Sequence, residues 1–355
     1  MKKSAFVLIS GTNHRHLVLG ITLMCLGALG CDRKPDEVTK TSSLVEEPAS
    51  SPQKAPNDPV EVVYEDNTIT DETLQSWINN PSLRRLRIAG SDISDAGLSS
   101  LVKTSKLELL DVTRCESLTG TGIEAISTMP TLRNLRISGP AATDESIASF
   151  SKLNNLAALS LQQTAVTDSG LHVIEPMKSL KELNLYGTPI TDQSLATIAV
   201  LPNLQKLRLR GTKVTGDNGD AFEKMNAVVD LDLSETAFVS SGLNAIGKMP
   251  NLRSLNLWLT KVDDVGIEHL SGQTQLTLLN LDNVNTITDK SLDTIQQMKN
   301  LELLHLGGTS ITADGLEKLH DLKNLKTLFI TRLNLEEVDV TAIRNAMPWL
   351  SKLES

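Results

Sequence analysis

Leucine and isoleucine return along this chain in a register of 24 positions, and the stretch Leu180–Asn203, LKELNLYGTPITDQSLATIAVLPN, carries the pattern in full. Written as L-x-x-L-x-L-x-x-T-x-I-T-D-x-x-L-x-x-I-x-x-L-x-x, it holds two periodicities. Alternation through Leu183 and Leu185 predicts a short strand, and the spacing of Leu195, Ile198 and Leu201 predicts a helix on the return. A strand, a turn and a helix of this size cannot bury their apolar edges alone. Successive units must stack, and stacking makes a solenoid.

Full units begin at Leu83, Leu107, Leu132, Leu156, Leu180, Leu204, Val228, Leu252, Leu276, Leu301 and Leu325. Two intervals are one residue longer (Leu107 to Leu132 and Leu276 to Leu301), with the extra residue between strand and helix, where it bulges the rim without breaking the stack. Asn67–Ser82 matches the second half of a unit, with Val62 and Tyr64 at the strand positions, so the folded part starts near Val60. The last unit departs from the pattern, and Val338, Ile343, Met347 and Trp349 are expected to close the open end of the core.

The segments LAALSLQQTAVTDSGL from Leu156 and LELLHLGGTSITADGL from Leu301 resemble the cysteine-containing subclass of leucine-rich repeats. That resemblance spans about residues 60–355. It implies an α/β leucine-rich-repeat solenoid, with a curved parallel sheet on the concave side and helices on the convex side. The subclass is known from substrate-receptor subunits of ubiquitin ligases, but no F-box-like segment precedes the repeats, so that role does not carry over. No single function follows from the family.

Several repeat positions have structural roles of their own. The ninth is mostly threonine (Thr164, Thr188, Thr212, Thr236, Thr260, Thr309), whose hydroxyl can bond the backbone where the chain leaves the strand. Cys115 holds the same slot and reads as a structural cysteine, with a reactive thiol as the alternative. The Thr-Asp pairs Thr70-Asp71, Thr143-Asp144, Thr167-Asp168, Thr191-Asp192 and Thr288-Asp289 read as helix N-caps. Calcium is not expected, because no unit supplies clustered oxygen ligands.

Ahead of the repeats the character of the chain changes. Residues 1–30 bring Lys2, Lys3 and Arg15 and then an apolar run from Leu17 to Gly30, too short to span a membrane, which reads as a signal sequence. The run ends Ala28-Leu29-Gly30-Cys31, which resembles the lipobox of bacterial lipoproteins and implies lipidation of Cys31. Ordinary cleavage after Gly30 is the alternative. Residues 31–59, with five prolines and no aromatic residue, read as a disordered tether spanning roughly 30 Å as a coil. The expected location is the bacterial cell envelope, lipid-anchored and facing the periplasm or exterior.

Net charge is −9, and the basic N-terminal segment leaves the remainder more acidic still. A polyanion needs a basic footprint, so nucleic acid is not an expected partner. Apparent chemical motifs dissolve on inspection. Gly120-Thr121-Gly122-Ile123-Glu124-Ala125 fits a dinucleotide fingerprint but falls on the extended rim loop of one unit, and Gly242–Met249 nearly fits a phosphate loop but ends in methionine where Ser or Thr is required. His172, His269, His305 and His320 show no metal-ligand spacing and no nearby nucleophile. Neither catalysis, a metal nor a cofactor is expected.

The third, fifth and seventh residues of each strand should face the concave sheet, in rows along the solenoid. Row three runs Glu182, Lys206, Asp230, Ser254. Row five runs Asn184, Arg208, Asp232, Asn256, Asn280, His305, Phe329. Row seven runs Tyr186, Arg210, Ser234, Trp258, Asp282. Aromatics make up only 3% of the chain, so two in one row beside an arginine mark a place. Tyr186, Arg208, Arg210, Asp232, Asn256 and Trp258 are the candidate recognition residues for a protein partner. Two other readings stay open: the charges merely neutralise one another, or the face binds a glycan, stacking sugars on Tyr186 and Trp258 with Asn256, Asn280 and Asp282 as hydroxyl partners.

Overall fold

The computed structural model describes residues 60–64, 69–78, 80–104 and 106–355. The segments read as a signal sequence (1–30) and a tether (31–59), with Cys31, lie outside the described residues. The described strands form a single thirteen-stranded parallel sheet in strict chain order, from Val60–Tyr64 to Lys352–Glu354. This is the α/β leucine-rich-repeat solenoid that the resemblance implies. Register follows the repeat: Leu183 pairs with Leu207, Leu207 with Leu231, and Leu231 with Leu255. Those leucines are fully buried in one continuous core that runs the length of the stack. Removing such a side chain, as in Leu207→Ala, costs about 2–5 kcal/mol.

The convex segments are short. Gln193–Ala199 and Ser240–Ile246 are helices of two turns, whereas Asp144–Ile147 is one α-turn continued as a 3-10 segment, Ala148–Lys152. Helices of this length do not persist alone, so burial of Leu195, Ile198, Leu243 and Ile246 holds them. The Leu204 unit has no α-helix. Gly216, in the left-handed region at φ 79°, stands where the Thr-Asp units carry aspartate, and only a 3-10 segment, Gly219–Lys224, forms. Phe222 and Phe238 fill the space there, edge to face with ring centres 6.1 Å apart.

Where each strand ends, the eighth residue is left-handed in every full unit. Five are glycine (Gly90, Gly139, Gly187, Gly211, Gly308); the others are Arg114, Gln163, Glu235, Leu259, Asn283 and Arg332. The ninth-position threonine then donates to the carbonyl of the sixth residue, as from Thr188 to Leu185 at 2.7 Å and Thr212 to Leu209 at 2.6 Å. Cys115 is buried in the same slot, its Sγ 3.2 Å from the Ile88 carbonyl, and burial pushes its thiol pKa up. That environment suits a structural cysteine.

In the Thr-Asp pairs the two residues divide the work. Thr143, Thr167 and Thr312 cap their own helices, accepting from backbone N–H groups of the first turn. The aspartate instead reaches into the next unit. Asp144 accepts from the Thr167 N–H and hydroxyl, Asp264 from those of Thr288, and Asp289 from those of Thr312. The resulting ladder is interrupted where Gly120, Gly216, Ser240 and Ala313 take the aspartate's place. At the first break Ser146 closes a capping box with Thr143, and at the second the Phe238 ring packs against Gly216. Gly120–Ala125 is a helix capped by Thr119 and not the extended loop expected. Its Gly122 is there because Asp95 lies where a side chain would go, 2.2 Å from a β-carbon.

At the C-terminal end Ile343 and Met347 are buried, and the Trp349 indole donates to the Leu322 carbonyl at 3.0 Å. Val338 does not join them. It is 67% exposed, because the helix Glu337–Ala346 turns its Ile343 side to the core.

Candidate binding face

The register puts the row-three and row-five residues side by side as read: Glu182, Lys206 and Asp230 across one row, Asn184, Arg208, Asp232 and Asn256 across the next. Row seven lies just beyond the paired segments. There Ser234, small and fully buried, leaves room for Arg210 to lie between Tyr186 and Trp258. The guanidinium carbon is 5.1 Å from the Tyr186 ring centre and 5.0 Å from that of Trp258. Each contact is in cation–π range.

Glu235 fixes the third side of this arrangement. Its backbone is left-handed at φ 54°, and its carboxylate takes a two-pronged bond from Arg210, Nε at 2.8 Å and Nη2 at 2.9 Å. The hydrogen bond from Arg210 pulls the Glu235 carboxyl below its usual pKa and raises that of Arg210. Arg210 is thus an organiser whose faces and fork are already engaged, rather than the free contact that its row position suggested.

The charged residues are also committed within the chain. Arg208 bonds Asp230 at 2.8 Å and lies 3.6 Å from Asp232, and Lys206 bonds Glu182 at 2.9 Å. Asp232 is only 7% exposed; it accepts from the backbone N–H of Ser234 at 3.0 Å and from its hydroxyl at 2.6 Å. Asn256 does the same for the N–H of Trp258 at 3.1 Å, Asn184 for Tyr186 and Asn280 for Asp282. A fifth-position acceptor thereby satisfies the seventh residue's N–H where the strand is released from the ladder. Of the six candidate residues, Tyr186, Arg210 and Trp258 form one stack, Arg208 and Asp232 an ion pair, and Asn256 the support beneath Trp258.

Two residues of this face escaped the row reading, because they occupy the eighth position: Glu235, already described, and Leu259. Leu259 is left-handed at φ 54° and 50% exposed beside Trp258. Its signal was in the sequence, a leucine in a slot where five other units carry glycine. Trp258 also holds the one buried side-chain nitrogen or oxygen without a partner among the described residues, its Nε1.

A second group lies farther along the sheet. His305 stacks on Phe329 at 4.6 Å with Lys352 over the other ring, and Arg332 pairs with Asp282. His305 Nδ1 accepts from the Gly307 N–H at 3.2 Å, and burial pushes its pKa down against the opposing pull of Asp282. No group of three His, Cys, Asp or Glu converges on a metal-sized site among the described residues. Nor is any described helix long and apolar enough to cross a membrane.

One strand per 24-residue unit, in chain order, with a leucine core and a threonine bonded at each strand exit, defines a leucine-rich-repeat solenoid. Models described as leucine rich repeat match residues 202–261, and residues 79–102 and 104–127. The chain is a leucine-rich-repeat protein. Among solved structures it is similar to an internalin from Listeria monocytogenes, with 18% identity, 84% of this chain and 86% of that one covered, and a TM-score of 0.58. It is also similar to a TDR receptor (15% identity, 82% and 46% covered, TM-score 0.51) and to TLR13 in a TLR13–ssRNA13 complex (17%, 81% and 48%, TM-score 0.50). The match spans about half the length of those two receptor chains. No curated protein sequence matches significantly.

Proposed function

We propose that this protein is a non-catalytic scaffold that captures a protein partner on its concave sheet and the adjoining rim. Leu259 carries the reading. A half-exposed leucine in a left-handed conformation costs the fold about 1 kcal/mol relative to glycine and buries little within the chain. It stands beside Trp258 and the Tyr186–Arg210–Trp258 stack, rigid aromatic surface of the kind that anchors protein interfaces. The glycan alternative finds less support. The side-chain oxygens of Asn256, Asn280 and Asp282 that would serve sugar hydroxyls are engaged within the chain. The internalin likeness is compatible with a binding scaffold, and the lipobox-like Cys31 with residues 31–59 is the basis for placing it, tethered, in the bacterial envelope.

The test is affinity capture from the native envelope with the full chain, comparing wild type with Trp258→Ala and Leu259→Gly, read by mass spectrometry. A protein retained by wild type and lost by both variants supports the reading, provided that Leu259→Gly unfolds no earlier than wild type. Undiminished retention by both variants would falsify it, and envelope polysaccharide retained in place of protein would favour the sugar reading.

A further inference from the structure

The concave sheet is unevenly filled. The Leu156 unit places Ala158 and Ser160 at its third and fifth positions, between Asn134 and Arg136 on one side and Glu182 and Asn184 on the other. Two short side chains over one strand leave a hollow of about 350 Å³, and Arg208 reaches its far wall.

Several side chains of the hollow keep donors without a partner. The Asn184 side-chain oxygen is taken by the Tyr186 N–H, and the Gln162 oxygen accepts from Asn184 at 3.3 Å, leaving the Gln162 N–H groups free. Ser160 lines the hollow, and its hydroxyl, which is not buried, makes no hydrogen bond among the described residues. The Arg136 guanidinium is half exposed, with its nearest charge partner Asp111 at 3.7 Å, beyond hydrogen-bonding distance. Asp111 itself is occupied, accepting from the Thr113 N–H at 3.2 Å and its hydroxyl at 2.8 Å. Free donors thus gather from Arg136, Ser160 and Gln162, while the acceptors still open in the lining are the Asn134 amide oxygen and one carboxylate oxygen each of Asp111 and Glu182.

We propose that the hollow above Ala158 and Ser160 receives a carboxylate of the bound protein, held by the Arg136 guanidinium with the Ser160 hydroxyl and the Gln162 amide as further donors. This deepens the concave-face reading and rests on it. A planar, singly charged group with two oxygens matches the guanidinium fork. A doubly charged phosphate fits less well, because Asp111 and Glu182 line the same hollow and the chain carries a net −9. An acidic side chain and a free chain terminus both offer this chemistry.

The experiment is an NMR titration of the full chain, following the Arg136 Nε–H and Gln162 side-chain amide signals. Three probes are used: acetylated, amidated Gly-Glu-Gly; acetylated Gly-Gly-Gly with a free terminal carboxylate; and acetylated, amidated Gly-Gln-Gly. A saturable shift with either carboxylate probe and none with the glutamine probe is expected, and the stronger of the two names the source. Arg136→Gln should weaken binding at least tenfold. Ala158→Leu, which fills the hollow without altering charge, should do the same with the unfolding midpoint retained. No shift with either carboxylate, an equal shift with the glutamine probe, or binding that survives both variants overturns the proposal. If that happens while Trp258→Ala and Leu259→Gly still abolish partner capture, the hollow fails and the concave-face reading stands.

Discussion

The carboxylate of Asp168 accepts from the backbone N–H of Thr191 at 2.9 Å and from its hydroxyl at 2.8 Å, so one unit's helix start is bonded to the next unit's cap. The Ser194 hydroxyl adds a third bond from the same neighbour. Asp168→Ala removes all three bonds at once and leaves a partly buried N–H unpaired. It is expected to destabilise the fold by about 2–3 kcal/mol, measured as a shift in urea midpoint at unchanged slope.

At every described ladder aspartate but Asp192, which meets the Asn218 N–H, the facing residue is glycine or serine, for a steric reason. A β-carbon on Gly170 would lie 2.1 Å from Asp144 Oδ1, and one on Gly315 2.0 Å from Asp289 Oδ1. At Ser194 and Ser291 the side chain is instead a donor to Asp168 and Asp264. Gly170→Ala should therefore destabilise by about 1–3 kcal/mol, and Gly170→Ser by clearly less, because the hydroxyl supplies a bond once the carboxylate turns. Chemical denaturation of the two variants side by side decides it.

Acid should act on the same ladder. Burial opposes the charge on Asp168 and Asp264, but the hydrogen bonds from Ser194 and Thr191, and from Ser291 and Thr288, outweigh it and hold both carboxyls below their ordinary 3.8. The Ser240 hydroxyl does likewise for Asp263. A carboxyl depressed in the folded state stabilises above its unfolded pKa, and that contribution is lost as pH falls through the folded value. Urea midpoints should accordingly drop below about pH 4, and Asp168→Asn with Asp264→Asn should flatten that limb. His305 adds a milder loss at higher pH. Its pKa is depressed from 6.5, so the unfolded state gains the proton first as pH falls below that value. His305→Gln should remove this limb alone.

Arg210 ties Glu235 to two aromatic rings. Arg210→Leu is expected to cost about 1–2 kcal/mol, combining the loss of a two-pronged, partly exposed ion pair with that of two cation–π contacts. In 1 M salt the difference from wild type should shrink, because the ionic part is screened. A gap that does not change with salt would assign the loss to packing.

Sequence periodicity was enough for the sheet, its register and the buried leucines, because each is fixed by a residue's position in the unit. It was also enough for the ninth-position threonine, whose bond is local. The direction of Asp168 was not legible, since an aspartate after threonine at a helix start suits its own helix equally well until the neighbouring unit is placed. The left-handed eighth position was hidden by Arg114, Gln163 and Asn283, residues that say nothing of φ taken singly. For the same reason Glu235 and Leu259 were missed while Tyr186 and Trp258, rare side chains in a row, stood out. Arg210 was placed correctly, but its engagement depended on Glu235.

The rim ladder lacks its aspartate at Gly120, Gly216, Ser240 and Ala313, although the sheet and core run through without a seam. A stack whose units share bonds on both edges opens as one body; where one edge is released, neighbouring units can part locally while the rest stays closed. At Gly216 the Val239 N–H still donates to the Thr215 carbonyl, and at Ser240 a reciprocal bond with Asp263 replaces the aspartate's, so the rim there is thinned and not released. The Gly216 step falls between Tyr186 and Trp258 along the stack, where Arg210 lies against both rings and spans the place at which the rim bonding is thinnest.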